Sequence, residues 1–483
     1  MGWISLVRKP VSDWTGYKDP PCGAGLGTTI NVDGRTWHRA LTHNSSGRIG
    51  GFRIFIQVMS PHRAKMGVRG RYTPCMNQET DGNERSEGQE HLLRPHLRQF
   101  QPLPVQSPEG KQLVLLRDPL NLVPKPLVMV PEALRVMAQF QGQRTVHEIA
   151  EQFSIPLEKV EELVSILDSH ALLWGPVFTE KEQELKASIA ASGRMPRGAA
   201  FMLGEEEAKV REQLEAWLAE TEDPELESPP LALVVPHLDY HRGWPLYAAG
   251  YKCLEGMSAP DRVVVLGTNH FGIGDGCVAT EWSWESPLGD VRVDEALVEA
   301  MRSRLGKGFY ADQLDHIPEH SVQLHLPWIK HVFGDVPVFG VLVPDPNLPM
   351  VEDDGQRTAG TEFISALREA LAELGGTTFF IASSDLSHVG PQFGEPAAVD
   401  DERKVEVEKH DREMLAKFLE GDAGAFTEAM NWSKNPTRWC SVGNMSALVE
   451  LIGSENELEL LDYRQAVQEN GAALVSAAAC VVL

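Results

Sequence analysis

RVVVLGTNH, residues 262–270, decides the fold: a run of apolar, β-prone residues passes into Gly267, Thr268, Asn269 and His270, a buried strand feeding a polar turn. LALVVPH at 231–237 repeats the pattern, and FFIASSDLSH at 379–388 repeats it again. In an open α/β sheet the carboxyl ends of parallel strands border the ligand crevice. His237, His270 and the Asp385/His388 pair are therefore expected to converge on one catalytic or metal site. VPVFGVLVP (336–344) and ALVSAAACVVL (473–483) read as further strands, with helical stretches between. The alternation predicts an α/β domain over residues 231–483, with a largely parallel central sheet flanked by helices.

Upstream the periodicity changes. Over residues 113–177, PEALRVMAQF, TVHEIAEQF and PLEKVEELVSILDSHALLW predict three helices, the second opening with a Thr145/Glu148 capping box and the third with Pro156 in its first turn. This is a small helical, winged-helix-like layout, and its cadence resembles the PqqD-like modules that bind a peptide or partner. DNA is the other ligand of such a layout, but residues 141–170 hold Arg144 and Lys159 against six acidic residues, net −4. A recognition surface for DNA is basic, so an acidic module for a peptide or protein is expected. Residues 178–230 read as a helical connector ending in the acidic linker TEDPELESPP. Residues 1–100 differ from the rest: 14 Lys or Arg against 8 Asp or Glu, rich in Gly and Pro, without sustained period. They read as a disordered basic arm or, preferably, as an extension upstream of a true start near Met66 or Met76, so that residues 1–75 are not translated.

The whole chain has 483 residues and a formal charge of −25, which argues against nucleic acid and anionic membranes as partners. No apolar run reaches the ~20 residues of a membrane helix, and the start lacks the apolar core of a secretion signal. A cytoplasmic location is expected. The six cysteines form no CxxC pair, as suits a reducing compartment.

Several residues offer metal or proton chemistry. Neutral imidazole is the commonest transition-metal ligand, so His237 and His270 are candidates, with Asp239 as an acceptor orienting the His237 ring. DHIPEHSVQLHLPWIKHVF packs four histidines into residues 316–331, of which His320 and His325 are expected to face the site. Asp385 and His388, three apart, read as a proton-transfer pair, as metal ligands, or as part of a helix N-cap. Cys440 precedes an amphipathic stretch, and a helix N-terminus favours its thiolate.

In order, PHLDYHRG, LGTNHFG, SPLGDVRVD, EHSVQLHLPW, SSDLSHVG and WCSVGNM resemble the motifs of the Memo-like family, known in bacteria and archaea as AmmeMemoRadiSam system protein B. The resemblance covers roughly residues 194–483. It implies a fold like the class III extradiol dioxygenases and a mononuclear iron or copper site held by His237, His270 and Cys440, with Asp385 and His388 bordering the metal. It also implies radical SAM and AMMECR-like proteins as partners. Two departures stand out: Gln323 replaces the carboxylate of the family's HSxExHLP, and Ser441 follows Cys440 where the family tends to have glycine. Three roles fit: a metalloprotein of redox chemistry or metal handling, a dioxygenase-like enzyme on a small aromatic substrate, and a non-catalytic interaction scaffold.

Overall fold

The computed structural model describes residues 29–32, 35–38, 89–107, 110–123, 125, 127–270, 276–347 and 358–483. The expectations for the other residues of the N-terminal hundred lie outside the described residues. The chain divides near residue 192 into two compact units.

In the first unit, β1 (Thr29–Val32) and β2 (Arg35–His38) pair antiparallel. A second antiparallel sheet joins β3 (Gln101–Gln106), β4 (Gln112–Arg117) and β5 (Leu127–Met129). The region expected to be helical from residue 113 thus opens with strands, and the short helix Glu90–Leu93 precedes them. QLVLLR buries four consecutive residues between its neighbours, a periodicity too short to separate from a buried helix segment. The stretch PEALRVMAQF is helical only over Ala133–Met137. Helix Val146–Phe153 starts on the expected capping box: Thr145 Oγ1 accepts from Glu148 N at 3.2 Å and Glu148 Oε2 accepts from Thr145 N at 2.7 Å. Helix Leu157–Ser169 follows Pro156, and Ile149, Val160, Leu163 and Leu167 fill the core between them.

The second unit is built on one sheet. Among the described residues it has β6 (Ala232–Val235), β7 (Arg262–Gly267), β8 (Val278–Ala279), β9 (Val338–Leu342), β10 (Thr378–Ser383), β11 (Asp385–Val389), β12 (Leu458–Val467) and β13 (Leu474–Val482). β6, β10, β7 and β9 lie side by side and parallel. β8 runs antiparallel on β9, and β13 antiparallel on β6, with β11 and β12 antiparallel on β13. The sheet is therefore mixed, with a parallel centre, rather than largely parallel. ALVSAAACVVL, read as one more strand of the parallel set, is β13. Nothing in its composition marks direction, which depends on how Leu458–Val467 returns beside it.

β6, β7 and β9 are buried along their whole length, as strands covered on both faces must be. Helix Tyr240–Lys252 packs on β6, β12 and β13, and helix Val442–Ile452 on β7 and β10. Two glycines permit this. A Cβ on Gly250 would lie 2.3 Å from Val235 Cγ1, and one on Gly443 would lie 2.0 Å from the Pro344 carbonyl oxygen. Among the described residues no helix is long and apolar enough to cross a membrane.

Candidate metal centre

The carboxyl ends of β6, β7 and β10 deliver His237, His270 and Asp385, as the strand-to-turn pattern predicts. His320 arrives from the loop before helix Leu326–Phe333, and Cys440 from the residue before the N-cap of helix Val442–Ile452. His237, His270 and His320 present ligand atoms within 4.8 Å of one another. Their ring centroids stand 5.0, 5.4 and 4.9 Å apart.

Two of the rings are hydrogen-bonded from behind. His237 Nδ1 lies 3.0 Å from the Ser383 carbonyl, so Nδ1 carries the proton and Nε2 keeps its lone pair for the centre. Burial, reinforced by the neighbouring His270 and His320, holds His237 well below its usual pKa and therefore neutral. His270 Nδ1 lies 3.1 Å from both oxygens of Glu319, which again leaves Nε2 toward the centre. Burial depresses the His270 pKa, but the Glu319 carboxylate outweighs it and holds the ring well above the usual value.

Glu319 is the hub. Its side chain is fully buried, and it accepts from the backbone N–H groups of His270 (2.7 Å), His320 (2.8 Å) and Ser321 (2.9 Å). Burial pushes its carboxyl up, yet the charge and hydrogen bonds of His270 keep it well below the usual range, so it stays ionised. His320 Nδ1 lies 3.2 Å from Glu319 Oε1 without the alignment of a hydrogen bond, and this buried nitrogen has no other partner among the described residues.

Cys440 Sγ sits 3.3 Å from His237 Nε2 and donates to the Asp385 carbonyl at 3.6 Å. Burial raises the thiol's pKa despite the opposing His270 ring, so the thiolate expected from the helix terminus is not formed by the protein alone. A bound cation deprotonates a coordinating thiol outright.

Asp385 and His388 belong to β11 itself, not to a helix cap. An extra residue between them, seen in the shifted pairing Asp385↔Ala477 and His388↔Val475, turns a three-residue spacing back toward one face. They do not form a direct pair. Asp385 Oδ1 accepts from the N–H groups of His237 and Leu238, each at 3.0 Å, and Oδ2 lies 3.8 Å from His237 Nε2. His388 Nδ1 is shared between the carbonyls of Leu386 and Arg438. Burial pushes Asp385 up to about 7, and burial with the His270 charge pulls His388 down to about 4.

Two other expected residues, His325 and Asp239, lie elsewhere, and so does the motif departure Gln323. His325 turns away: its Nδ1 meets the Tyr251 hydroxyl at 3.1 Å in an aromatic nest. Asp239 pairs with Arg242 (2.6 Å) instead of orienting His237, a task taken by the Ser383 backbone. Gln323 does not face the centre; its Nε2 donates to the carbonyls of His316 (2.9 Å) and Ile317 (3.1 Å) and so shapes the histidine loop. Sequence reasoning missed Glu319 and Asn444. Asn444 Nδ2 donates to the Ser383 carbonyl and reaches Thr268 Oγ1 at 3.3 Å, and its Oδ1 accepts from Ser384, which ties the ends of β7 and β10 together. The available signal was an acid beside a histidine after a proline, Pro318-Glu319-His320, inside the histidine-rich stretch.

Fold and site together define a mixed α/β protein with a braced cluster of three histidines and a cysteine at the carboxyl ends of its central strands. Within that class the chain belongs to the Memo-like family, whose model, described as Memo-like protein, matches residues 194–481. It is 32% identical over 265 residues to a MEMO1 family protein of Pyrobaculum arsenaticum, covering 53% of this chain and 85% of the relative. It is 26% identical over 302 residues to one from Aquifex aeolicus, covering 61% and 76%. A third, from Methanopyrus kandleri, is 29% identical over 249 residues, covering 51% and 79%. The match begins where the second unit begins, so the N-terminal unit is additional to the family's domain.

Proposed function

We propose that this is a metalloprotein of redox chemistry or metal handling, binding one iron or copper ion through His237, His270 and His320, with the Cys440 thiolate as a further ligand. The carrying observation is the convergence of three imidazoles, two of them hydrogen-bonded at Nδ1 from behind, His237 by Ser383 and His270 by Glu319. Nitrogen and soft sulfur donors suit copper and iron better than magnesium or calcium, which prefer oxygen. The bound ion supplies one-electron chemistry and Lewis acidity.

The chain's own residues supply the rest. Glu319 places two of the rings and balances the cation's charge. Asp385, with a pKa near 7, holds or releases a proton beside His237 at neutral pH. His388, neutral at that pH, is a second acceptor from the same strand. We further propose that the acidic helical module of residues 113–177 acts as a PqqD-like partner module and that radical SAM and AMMECR-like proteins are among the partners, as in an AmmeMemoRadiSam system.

Elemental analysis of anaerobically purified protein tests the centre. The expected result is close to one iron or copper per chain, lost in His237→Ala and His270→Ala and weakened in Cys440→Ser. An empty parent that takes up neither metal on addition overturns the reading.

A further inference from the structure

The aromatic nest that captures His325 is laid out as a path. Trp217 and Trp244, both half-buried, stack at 5.6 Å with planes 9° apart. Trp217 stacks on the fully buried Trp328 at 6.1 Å, and Trp328 stacks in turn on Tyr251 (5.0 Å) and Tyr247 (6.0 Å, planes 1° apart). The Tyr247 hydroxyl donates to the carbonyl of Leu238, the residue after His237. One end of the ladder therefore reaches the outer part of the protein and the other the candidate metal centre.

Proton acceptors differ along it, and this decides where an electron hole settles. Trp328 Nε1 is buried with no partner among the described residues, so an oxidised Trp328 has nowhere to lose its proton. Tyr240 and Tyr247 donate to the carbonyls of Leu324 and Leu238, which are very weak bases. Tyr251 alone of the three faces a base, His325 Nδ1, at 3.1 Å. Oxidation makes a phenol a far stronger acid, so loss of its electron and transfer of its proton go together. The path from the surface to a tyrosine with its own proton acceptor is a relay, not only a core.

We propose that Trp217, Trp244, Trp328 and Tyr247 form a one-electron relay whose terminal station is the Tyr251–His325 pair. The oxidant is of the hydroxyl-radical class, the product of one-electron reduction of peroxide by a redox-active metal. It takes one electron and becomes hydroxide. Tyr251 supplies that electron through the ladder, its O–H bond breaks, and an N–H bond forms at His325 Nδ1, leaving a neutral tyrosyl radical beside an imidazolium. The oxidising equivalent is thus drawn away from the Cys440 thiol. This direction of use rests on the metal-centre reading, whereas the relay itself is testable without metal.

The test is flash oxidation of the full chain by ruthenium tris-bipyridine with persulfate as electron acceptor, on protein as purified and after chelator treatment, followed by electron paramagnetic resonance. A tyrosyl signal is expected in both preparations, rising more slowly in deuterium oxide. It should be lost in Tyr251→Phe, replaced there by an indole signal, and kept in Tyr463→Phe, whose hydroxyl instead donates to Asp411 (2.8 Å) outside the ladder. Trp328→Phe should slow its rise. A tyrosyl signal that survives Tyr251→Phe, or a rise indifferent to deuterium oxide in the parent, overturns the proposal. Success in metal-stripped protein together with failure of metal uptake would keep the relay and remove the metal centre.

Discussion

His320 and His325 leave the same loop five residues apart and end in opposite surroundings. The nest around His320 is polar: an ionised, buried Glu319 collects three backbone N–H groups and stands against two imidazoles. The nest around His325 is aromatic, with Tyr247, Tyr251 and Trp328 packed about a ring whose Nε2 has no partner among the described residues. Burial lowers the pKa of both histidines, to about 4 and about 3. The difference lies with the carboxylate, which reverses the effect of burial at His270. The carboxylate thus outweighs burial at His270, which it hydrogen-bonds, and not at His320, and its position depends on the tertiary fold.

Glu319→Gln attacks that contrast most directly. It removes the charge that His270 and three N–H groups converge on, so a loss of roughly 3–5 kcal/mol is expected, as for breaking a buried pair from one side. Iron or copper affinity should fall about 10–100-fold in a chelator competition, as for loss of a ligand-orienting partner. Unchanged affinity would mean that Glu319 does not orient the ligands.

pH probes the buried neutral histidines without mutation. His316 and His325 are held by burial at about 4 and about 3 in the folded chain, below the ~6.5 of an unfolded imidazole. Between these values the unfolded state binds more protons, so stability rises with pH. Their contribution is complete above pH ~6.5 and is lost as pH falls toward the folded values, of order 3 kcal/mol for each by pH ~4. Urea unfolding of metal-free protein from pH 7.5 downward should show the decline, and replacing His325 with Gln should make it shallower. A flat profile would place a protonated His325 in the aromatic nest.

Gly443→Ala probes the wall behind the metal centre. The added methyl would overlap the Pro344 carbonyl, and overpacking of this kind costs about 1–3 kcal/mol. Because Cys440 and Asn444 flank that position, metal affinity should fall with stability, while the tyrosyl signal of the aromatic nest persists. The smallest effect is expected for Thr145→Ala in the N-terminal unit, about 1 kcal/mol from loss of a helix cap. It should leave both nests untouched, and any change in metal content would break the separation between them.

Local pattern was enough for much of this. The apolar runs ending at Val235, Gly267 and Ser383 were legible as strands, and their turns correctly marked His237, His270 and Asp385 as neighbours. The Thr145/Glu148 capping box was legible because all its atoms lie within four residues. QLVLLR was not, since a short buried run has no distinguishing period. Asp385 and His388 were read without the bulge that relates them, because a bulge depends on the partner strand.

Strand and helix periodicity, the acidic charge and the ordered motifs are local or summed properties, and the chain alone determined them. Four other features were decided only in three dimensions: the direction of β13, the turn of His320 toward the centre and of His325 into the aromatic nest, the recruitment of Glu319, and the diversion of Gln323 to two loop carbonyls. Each depends on a partner far away in sequence or on the path of a loop without repeating geometry. Spacing along the chain carries no record of either.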